Sequence, residues 1–289
     1  MKVQPLTPII GAEVSGLDLC RLTDRQFDGL SDAFTEHSVL FFRDQDAMAP
    51  ADQVAFAKRF GPLHTHPAAP TLAEQDEIFV IHAHKDSKIA NGNGWHTDVS
   101  CDEEPPLATI LQMHLLPKTG GDTLFASMYA AYETLSETMK AFLLTLKAHH
   151  ESEHIYRGRY ADRGAADEGK VYPRALHPMI RTHPESKRRA LYVNPSFTTR
   201  IEGLSRQESD ALLTMLYQHQ QRPEFQVRFN WSPNAVALWD NRCTHHFAMW
   251  DYWPEERKGH RVTIKGERPY LEATKEGSTP ENLRLSRQL

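Results

Sequence analysis

The sequence predicts a mainly β protein with peripheral helices, built as a β-sandwich or an open barrel. Eight short apolar runs rich in β-branched and aromatic residues have the length of strands, and most have Gly, Pro, Asp or Asn nearby. The few helical patterns between them do not alternate with strands as βαβ units do, which argues against a parallel sheet. The 289 residues contain no repeat and no Pro/Gly-rich linker, so we expect one domain over residues 1–289.

The predicted elements follow from local patterns along the chain. Thr23 and Gln26, and later Ser205 and Glu208, have the spacing of a capping box at the start of a helix, and Pro50 suits a first helical position. The predicted helices are 23–37, 50–60, 128–146 (as one helix or two) and 205–221. The predicted strands are 38–42, 77–81, 109–115, 122–126, 190–193, 225–231, 235–239 and 261–265.

Residues 157–188 differ from the rest of the chain. They are rich in Arg, Asp, Gly and Ala and have weak periodicity, which is typical of a long mobile excursion from the core. Loops of this length are usually functional or disordered. We therefore expect a lid insertion at 157–188 that becomes ordered over bound ligands.

Composition narrows the class of protein. Hydrophobic residues make up 40% and charged residues 25% of the chain, the balance of an ordinary globular protein. A net charge of −5 without a basic block argues against nucleic-acid binding, and no apolar run approaches the roughly 18 residues of a membrane helix. Three cysteines without a CxxC pair favour a reducing cytoplasm. Sixteen histidines are unusually many, and they make a metal site worth seeking.

His96 and Asp98 are the first candidate metal ligands. Side chains two apart on a strand share one face, so both could bind one metal. Two such ligands and a distant His form the facial triad of non-haem Fe(II) oxygenases. An isolated His-x-Asp pair is more often a surface His beside a solvated acid, which is the interpretation that suits His84 and Asp86 in their polar run. His96 differs because the glycines within 92–94 let the backbone approach a bound group.

A third ligand and an anion site are expected further along the chain. Residues 235–246 predict a strand followed by a turn and two histidines, so either His245 or His246 can be the distant ligand. Arg257 and Arg261 would share one face of a following strand, and a pair of guanidinium groups there suits a carboxylate or sulfonate. The alternative is a pair of edge-strand arginines in surface salt bridges.

Together these segments resemble the taurine dioxygenase family of Fe(II)/2-oxoglutarate-dependent enzymes. The resemblance covers nearly the whole chain, apart from its C-terminal end and parts of 157–188. Its segments are 5–18, 59–67, 95–99, 120–124, 194–201, 239–252 and 257–264. It implies a double-stranded β-helix, the cupin-like jelly roll, with Fe(II) as the cofactor and 2-oxoglutarate and O2 as cosubstrates.

The resemblance also implies roles residue by residue. The family's Trp-Asp-Asn-Arg motif is followed by three residues and then the ligand His, which selects His246 to join His96 and Asp98 as catalytic metal ligands. The family's 2-oxoglutarate arginine lies eleven residues after that His, at Arg257, and Thr123 corresponds to a hydroxyl that helps to hold the same carboxylate. The positions that match the family's substrate pocket are His66, Val99, Tyr156, Phe197 and Arg261.

Two departures from the family's taurine enzymes predict a wider pocket. Ala69 stands where those enzymes have a Tyr, and Gly92 stands where they have an Asn. Tyr156 also stands where Phe is usual. We therefore expect an enzyme that hydroxylates a C–H next to the anionic group of a small organic acid, a sulfonate such as taurine or a bulkier analogue.

Several alternatives remain open at the level of sequence. The acid can equally be an alkyl sulfate or an aryloxyalkanoate. A degenerate jelly-roll binding protein and a zinc hydrolase are the alternatives from other classes, although the complete set of ligands and arginines disfavours both. For partners and location, we expect a cytoplasmic homo-oligomer (a dimer or tetramer) that binds neither nucleic acid nor membranes.

Overall fold

A nine-stranded sheet forms the centre of the fold in the computed structural model, which describes residues 1–67, 71–72, 75–159 and 167–272. In chain order, the strands of the described residues are β1 (Lys2–Pro5), β2 (Ala12–Ser15), β3 (Val39–Phe42), β4 (Leu63–His64), β5 (Thr71–Leu72), β6 (Gln75–Ala83), β7 (Ala108–Leu115), β8 (Thr123–Ser127), β9 (Lys147–Glu151), β10 (Arg174–Pro178), β11 (Ile180–Thr182), β12 (Arg189–Leu191), β13 (Thr198–Ile201), β14 (Gln226–Phe229), β15 (Val236–Asp240), β16 (Thr244–Ala248) and β17 (Arg257–Ile264). The large sheet has the order β1-β2-β3-β15-β7-β17-β6-β5, and β4 pairs with β17. Its pairings are antiparallel except that of β2 with β3.

The helices begin where the sequence predicts capping. In chain order, the helices of the described residues are α1 (Asp24–His37), α2 (Pro50–Lys58), α3 (Met128–Glu133), α4 (Glu137–Leu143), α5 (Glu153–Tyr156) and α6 (Arg206–Gln220). Both predicted capping boxes are confirmed, Thr23 with Gln26 before α1 and Ser205 with Glu208 before α6. Within this part of the chain, every helix is too short or too polar to cross a membrane.

A three-stranded sheet of β14, β8 and β16 lies against the inner face of the large sheet. Phe125 of the small sheet packs on Phe41 and Trp239 of the large sheet, with ring centroids 5.5 and 5.6 Å apart. Phe229 of the small sheet stacks on Phe41 at 4.0 Å. Because every second side chain of a strand points to the same face, the two sheets bury one shared aromatic core. Two facing antiparallel sheets of this kind form a jelly roll, as predicted.

Helices α1 and α2 cover the opposite face of the large sheet. Leu30 and Phe34 of α1 pack with Leu40 and Phe42 of β3 in one buried core. Burial of a Leu or Phe side chain contributes about 1.5–3 kcal/mol, so packing rather than intrinsic propensity stabilises this helix. A separate core joins α3 and α6 to β9, β11, β12 and β13.

The structure contains all eight predicted strands, and it adds strands and one short helix that the sequence does not predict. Each predicted strand is present, with its ends moved by a few residues. Residues 128–146 form two helices, because α3 ends at Thr134 and Ser136 caps α4 by accepting a hydrogen bond from Met139 N at 3.2 Å. The elements that the sequence does not predict are β1, β2, β4, β5, β9, β10, β11, β13, β16 and the helix α5. Among them, β9 and β13 have largely polar side chains.

The stretch 157–188 is only partly a loop. Its second half contains β10 and β11, which pair with β9 and β12 and bury the side chains of His177 and Arg181. This half belongs to the packed fold, since its backbone is satisfied by strand pairing. In the first half, residues 160–166 lie outside the described residues. The lid therefore stays a prediction for 157–173.

Candidate metal centre

His96, Asp98 and His246 converge inside the jelly roll. One ligand atom of each residue lies within 4.8 Å of the others. The carboxylate oxygen Oδ1 of Asp98 is 3.7 Å from His96 Nε2 and 3.9 Å from His246 Nε2. Two imidazoles and one carboxylate that face a common point are the donor set of a facial triad, which leaves positions open for substrates.

The two histidines are joined by their main chains. His96 N donates to the His246 carbonyl at 3.1 Å, and His246 N donates to the His96 carbonyl at 2.8 Å. This isolated antiparallel bridge brings the rings to a centroid distance of 4.1 Å. Asp98 lies in the turn that follows. The expectation that His96 and Asp98 share one face of a strand is therefore wrong in its local structure, because a bridge and a turn aim them at the same point.

Each histidine is held in a form that suits a divalent metal. His96 Nδ1 lies 2.8 Å from the carbonyl of Gly94, a contact that places the proton on Nδ1 and leaves the Nε2 lone pair towards Asp98. Burial lowers the pKa of His96 and holds the pKa of His246 well below its ordinary value. Both imidazoles are therefore neutral near pH 7, as metal ligation requires.

Asp98 is positioned by residues that the sequence did not reveal. Thr109 Oγ1 donates to Asp98 Oδ2 at 2.7 Å, and Asn241 Nδ2 donates to Thr109 Oγ1 at 2.8 Å. The Asn241 side-chain oxygen accepts from Trp239 Nε1 at 3.0 Å and from Asp98 N at 3.3 Å. The Trp-Asp-Asn-Arg motif thus orients the carboxylate ligand. The conspicuous motif was the available signal for Asn241, whereas nothing in the sequence marked Thr109.

Arg261 contacts the ligand carboxylate directly. Its Nη1 lies 2.8 Å from Asp98 Oδ1, and its guanidinium carbon lies 4.8 Å from the centroid of the Phe79 ring. Burial alone raises the pKa of Asp98, but the charge of the Arg261 guanidinium holds that pKa well below its usual range. Asp98 is therefore ionised, and the side chain of Arg261 is buried beside it.

Arg257 and Thr123 meet at Trp231. Thr123 Oγ1 accepts a hydrogen bond from Trp231 Nε1 at 3.0 Å, and the Arg257 guanidinium carbon lies 5.7 Å from the centroid of the Trp231 ring. Arg257 Nε donates to the Gly121 carbonyl at 3.1 Å, but its buried Nη2 has no partner among the described residues. A buried cation with an unused donor is costly unless an anion binds there, so the residues present fit a carboxylate ligand.

A cleft of about 540 Å³, including its open mouth, lies beside the triad. His96 and Asp98 line it. The predicted substrate residues that also line it are His66, Val99, Tyr156, Phe197 and Arg261. Arg257 and Thr123 do not line this cleft. The structure therefore separates the two predicted ligand regions while it brings all five substrate residues together.

The rejected His-x-Asp candidate behaves as a surface pair. His84 Nδ1 is 3.8 Å from Asp86 Oδ2, and both side chains are exposed. His245 is buried away from the three ligand atoms, and burial lowers its pKa to about 3. Of the two neighbouring histidines, His246 is the one whose ring nitrogen lies with the candidate ligand atoms of His96 and Asp98.

A second group of possible ligands, His183, Asp240 and Cys243, is a closed ion-pair network. His183 Nε2 lies 2.9 Å from Asp240 Oδ2, and Arg242 donates to both carboxylate oxygens at 2.9 and 2.7 Å. Burial raises the pKa of Cys243 to about 12, so its thiol stays protonated. These contacts leave no carboxylate lone pair aimed at a metal, and the network is structural.

Gly92 is distinguished by its backbone conformation as well as by its lack of a side chain. Its φ of +80° is in the left-handed region, and a Cβ there would lie 3.3 Å from Ala248 Cβ and 3.5 Å from His96 Cε1. A side chain at this position would therefore be strained by its φ, crowd Ala248 and touch the ring of His96. The other pocket departure, Ala69, lies outside the described residues.

A jelly roll that carries a His-Asp-His triad defines the class of non-haem oxygenases. The sequence model described as "Taurine catabolism dioxygenase TauD, TfdA family" matches residues 2–263, and the chain belongs to this family. It is therefore an oxidoreductase of the 2-oxoglutarate-dependent dioxygenase class, whose cofactor is Fe(II) and whose cosubstrates are 2-oxoglutarate and O2.

Named relatives of the chain act on sulfur-containing acids. It is 35% identical to an alkylsulfatase of Acinetobacter baylyi over 92% of this chain and 86% of that protein. It is 33% identical to an α-ketoglutarate-dependent sulfonate dioxygenase of Saccharomyces cerevisiae over 93% of this chain and 68% of that protein. A solved taurine dioxygenase from Burkholderia xenovorans superposes with a TM-score of 0.79 at 35% identity, covering 93% of this chain and 92% of that one.

Proposed function

We propose that this dioxygenase oxidises a C–H bond next to the anionic group of a small organic acid. The observation that carries the proposal is the pairing of a buried His-Asp-His triad with Arg257, a buried cation that has an unused donor. A metal site alone would also suit a hydrolase. A separate carboxylate site, formed by Arg257 of the large sheet and Thr123 of the small sheet, is what a 2-oxoglutarate-dependent reaction requires.

Separate residues of the chain would hold the metal and position its carboxylate ligand. His96, Asp98 and His246 would hold Fe(II), while Thr109 and Asn241 keep the carboxylate ligand in place. When bound, Fe(II) with 2-oxoglutarate and O2 supplies the oxidising power for C–H cleavage and releases succinate and CO2. The protein fixes the geometry and keeps the site dry.

Arg257 and Thr123 would hold the far carboxylate of 2-oxoglutarate. The unused Nη2 of Arg257 can donate to a carboxylate oxygen, and Nε already fixes the plane of the guanidinium on the Gly121 carbonyl. The Thr123 hydroxyl accepts a hydrogen bond from Trp231, whose ring also lies beside the Arg257 guanidinium. A charge-assisted contact in this buried setting selects an anion over a neutral group.

The cleft would bind the substrate with its anionic head towards Arg261 and His66. Arg261 retains a buried Nε without a partner among the described residues, so it can donate to an anion while Nη1 stays on Asp98. Val99, Tyr156 and Phe197 form the apolar wall. The named relatives support a sulfonate or an alkyl sulfate as the head group, and an aryloxyalkanoate is the alternative within the class.

A substrate panel tests the proposal. Succinate formation is measured with Fe(II), 2-oxoglutarate and O2 in the presence of sulfonates, alkyl sulfates and aryloxyacids. We expect at least one acid larger than taurine to give succinate faster than taurine does, with some promiscuity, because an apolar pocket discriminates by only about 1–3 kcal/mol per methylene. A preference for taurine over every longer or aromatic acid would reject the wider pocket, and no succinate with any acid would reject the substrate class.

We also propose that the protein is cytoplasmic and assembles as a homo-oligomer, a dimer or a tetramer. Three free cysteines, two of them buried, support a reducing compartment. Light scattering after size-exclusion chromatography measures the assembly directly, and a mass near the 33.0 kDa of one chain would reject it.

A further inference from the structure

A second arginine, Arg159, lines the same cleft as the triad. It follows helix α5, and its guanidinium reaches the loop that precedes His96. Its contacts are long and are made to neutral groups, at 3.2 Å to the Ala90 carbonyl and 3.4 Å to Asn91 Oδ1. Within the described residues it has no ion pair, whereas Arg157, two positions earlier, is paired with Glu153. Arg159 thus brings a weakly satisfied cation to the mouth of the cleft.

The charge of Arg159 reaches the interior of the cleft. The pKa of His66 is held well below its ordinary value, first by burial and then by the charge of Arg261, and Arg159 adds to this effect. The two arginines come from different elements, Arg261 from β17 and Arg159 from the segment after α5, so they present cations on two walls of one cleft.

The charges around the site do not balance for a substrate with a single negative charge. Among the described residues that line the cleft, Asp98 is the one carboxylate and Arg159 and Arg261 are the two guanidiniums. Asp98 forms its ion pair with Arg261, so Arg159 is the lining guanidinium that no carboxylate of the described residues neutralises. A single anionic head bound at Arg261 leaves the charge of Arg159 without a counter-charge.

We infer that Arg159 is a specificity-determining residue that binds a second anionic group at the far end of the substrate, so that the preferred substrates are dianions. The inference rests on the proposed function. The substrate class is a sulfonate or sulfate ester whose tail ends in a carboxylate. The head lies towards Arg261 and the tail lies towards Arg159, and an ammonium tail such as that of taurine is repelled.

Three sulfonates with tails of similar length test the charge of the far end. They are 3-sulfopropanoate, 1-butanesulfonate and 3-aminopropanesulfonate, which end in a carboxylate, a methyl and an ammonium group. Binding is measured by calorimetry on the protein loaded with Fe(II) and 2-oxoglutarate without O2, and the series is repeated with sulfate heads. We expect the dianion to bind at least about tenfold more tightly than the methyl compound, the factor of a modest charged hydrogen bond, and the ammonium compound to bind least.

Two variants locate the effect at Arg159. In Arg159→Gln, the ratio of dianion to methyl-compound affinity should fall close to one, and Arg159→Lys should keep most of it. Arg157→Gln is the matched control, since it removes a neighbouring exposed charge that does not line the cleft. Melting temperatures of the loaded variants report whether each folds as the unmodified protein does.

The outcomes separate this inference from the proposed function. Equal binding of the dianion and the methyl compound by the unmodified protein, or an unchanged ratio in Arg159→Gln, overturns the role of Arg159 while succinate formation still supports the dioxygenase. Failure of the unmodified protein to bind 2-oxoglutarate, or to form succinate with any acid, overturns the proposed function itself. Binding of no sulfonate and no sulfate, with 2-oxoglutarate bound, overturns the dianion class.

Discussion

The metal ligands depend on single hydrogen bonds that the sequence does not display. Asp98 is a strong ligand only if its second oxygen is held, and Thr109 supplies that contact at 2.7 Å. His96 presents Nε2 because the Gly94 carbonyl holds Nδ1. At the scale of residues, spacing predicts His96 and Asp98 as candidate ligands, and only the resemblance to the family selects His246 over His245. Their positioning partners could not be predicted, because a Thr or a carbonyl carries no signature until the fold brings it near.

Thr109→Val should weaken metal binding. The substitution keeps the shape of the side chain but removes the donor to Asp98 and the acceptor for Asn241. Loss of such an outer contact typically costs about 10–100-fold in metal affinity. Titration with Fe(II) or Co(II) measures the change. Thr134→Val is the control, because its hydroxyl bonds the Ala130 carbonyl in α3, and equal affinities of the two variants would reject the role of Thr109.

His246→Ala should abolish metal binding, whereas His245→Ala should retain it. Two remaining ligands cannot hold a labile divalent ion, and His245 offers no atom to the triad. His245 is nonetheless buried, so its truncation leaves a cavity and should lower the melting temperature. Metal titration and thermal unfolding of both variants give the two readouts. Loss of metal in His245→Ala with retention in His246→Ala would show that the assignment is off by one residue.

Arg257→Ala should raise the KM for 2-oxoglutarate far more than the KM for the organic acid. Removing one partner of a buried charge pair costs about 2–5 kcal/mol. Arg257→Lys should recover only part of the loss, because an ammonium cannot donate through a planar fork. Steady-state kinetics with each substrate varied in turn distinguishes the cases. Equal increases of the two Michaelis constants would place Arg257 elsewhere in the mechanism.

At the scale of elements, strands made of apolar runs could be predicted and polar strands could not. β7 and β15 are nearly fully buried and carry their own signal. β9, with the sequence Lys-Ala-His-His-Glu, is a strand because β10 and β13 pair with it on either side. Pairing with β10 and β13 therefore stabilises this strand, and the local sequence pattern of β9 cannot reveal that pairing.

The segment before β10 should respond to ligands. Tyr156 and Arg159 line the cleft, so we expect the described residues 157–159 and 167–173 to respond to a bound acid. We expect amide hydrogen exchange at 157–159 and 167–173 to slow when 2-oxoglutarate and the organic acid are both added without O2. Exchange in α6, remote from the cleft, is the internal control. Unchanged exchange at 157–159 and at 167–173 would show that the segment is a surface loop that does not respond to ligands.

At the scale of the whole molecule, buried neutral histidines set the stability in acid. Burial lowers the pKa of His177 to about 4 and that of His245 to about 3, whereas an unfolded His has a pKa of about 6.5. As the pH falls below about 6.5, these histidines become protonated in the unfolded chain, whereas they stay neutral in the folded chain. The free energy of unfolding should therefore fall between about pH 6.5 and pH 4 and be constant above that window for these groups.

Urea unfolding of the metal-free protein at about pH 7.5 and pH 5 checks this dependence. The midpoint should be lower at the acid pH, and His177→Gln should reduce the difference, because a Gln side chain can still donate to the Ser100 and Asp102 carbonyls without titrating. A midpoint that is the same at both pH values would contradict the assignment of neutral histidines.

The bridge between His96 and His246 also decides when the protein can first hold iron. The two residues are 150 positions apart in the chain, and the main-chain bonds that align their rings form only after β16 has joined the small sheet. At a synthesis rate of about 5–20 residues per second, His246 leaves the ribosome roughly 8–30 s after His96. During that interval the growing chain offers His96 and Asp98 alone, a pair too weak to retain a labile ion. We therefore expect iron to bind the finished jelly roll rather than the nascent chain.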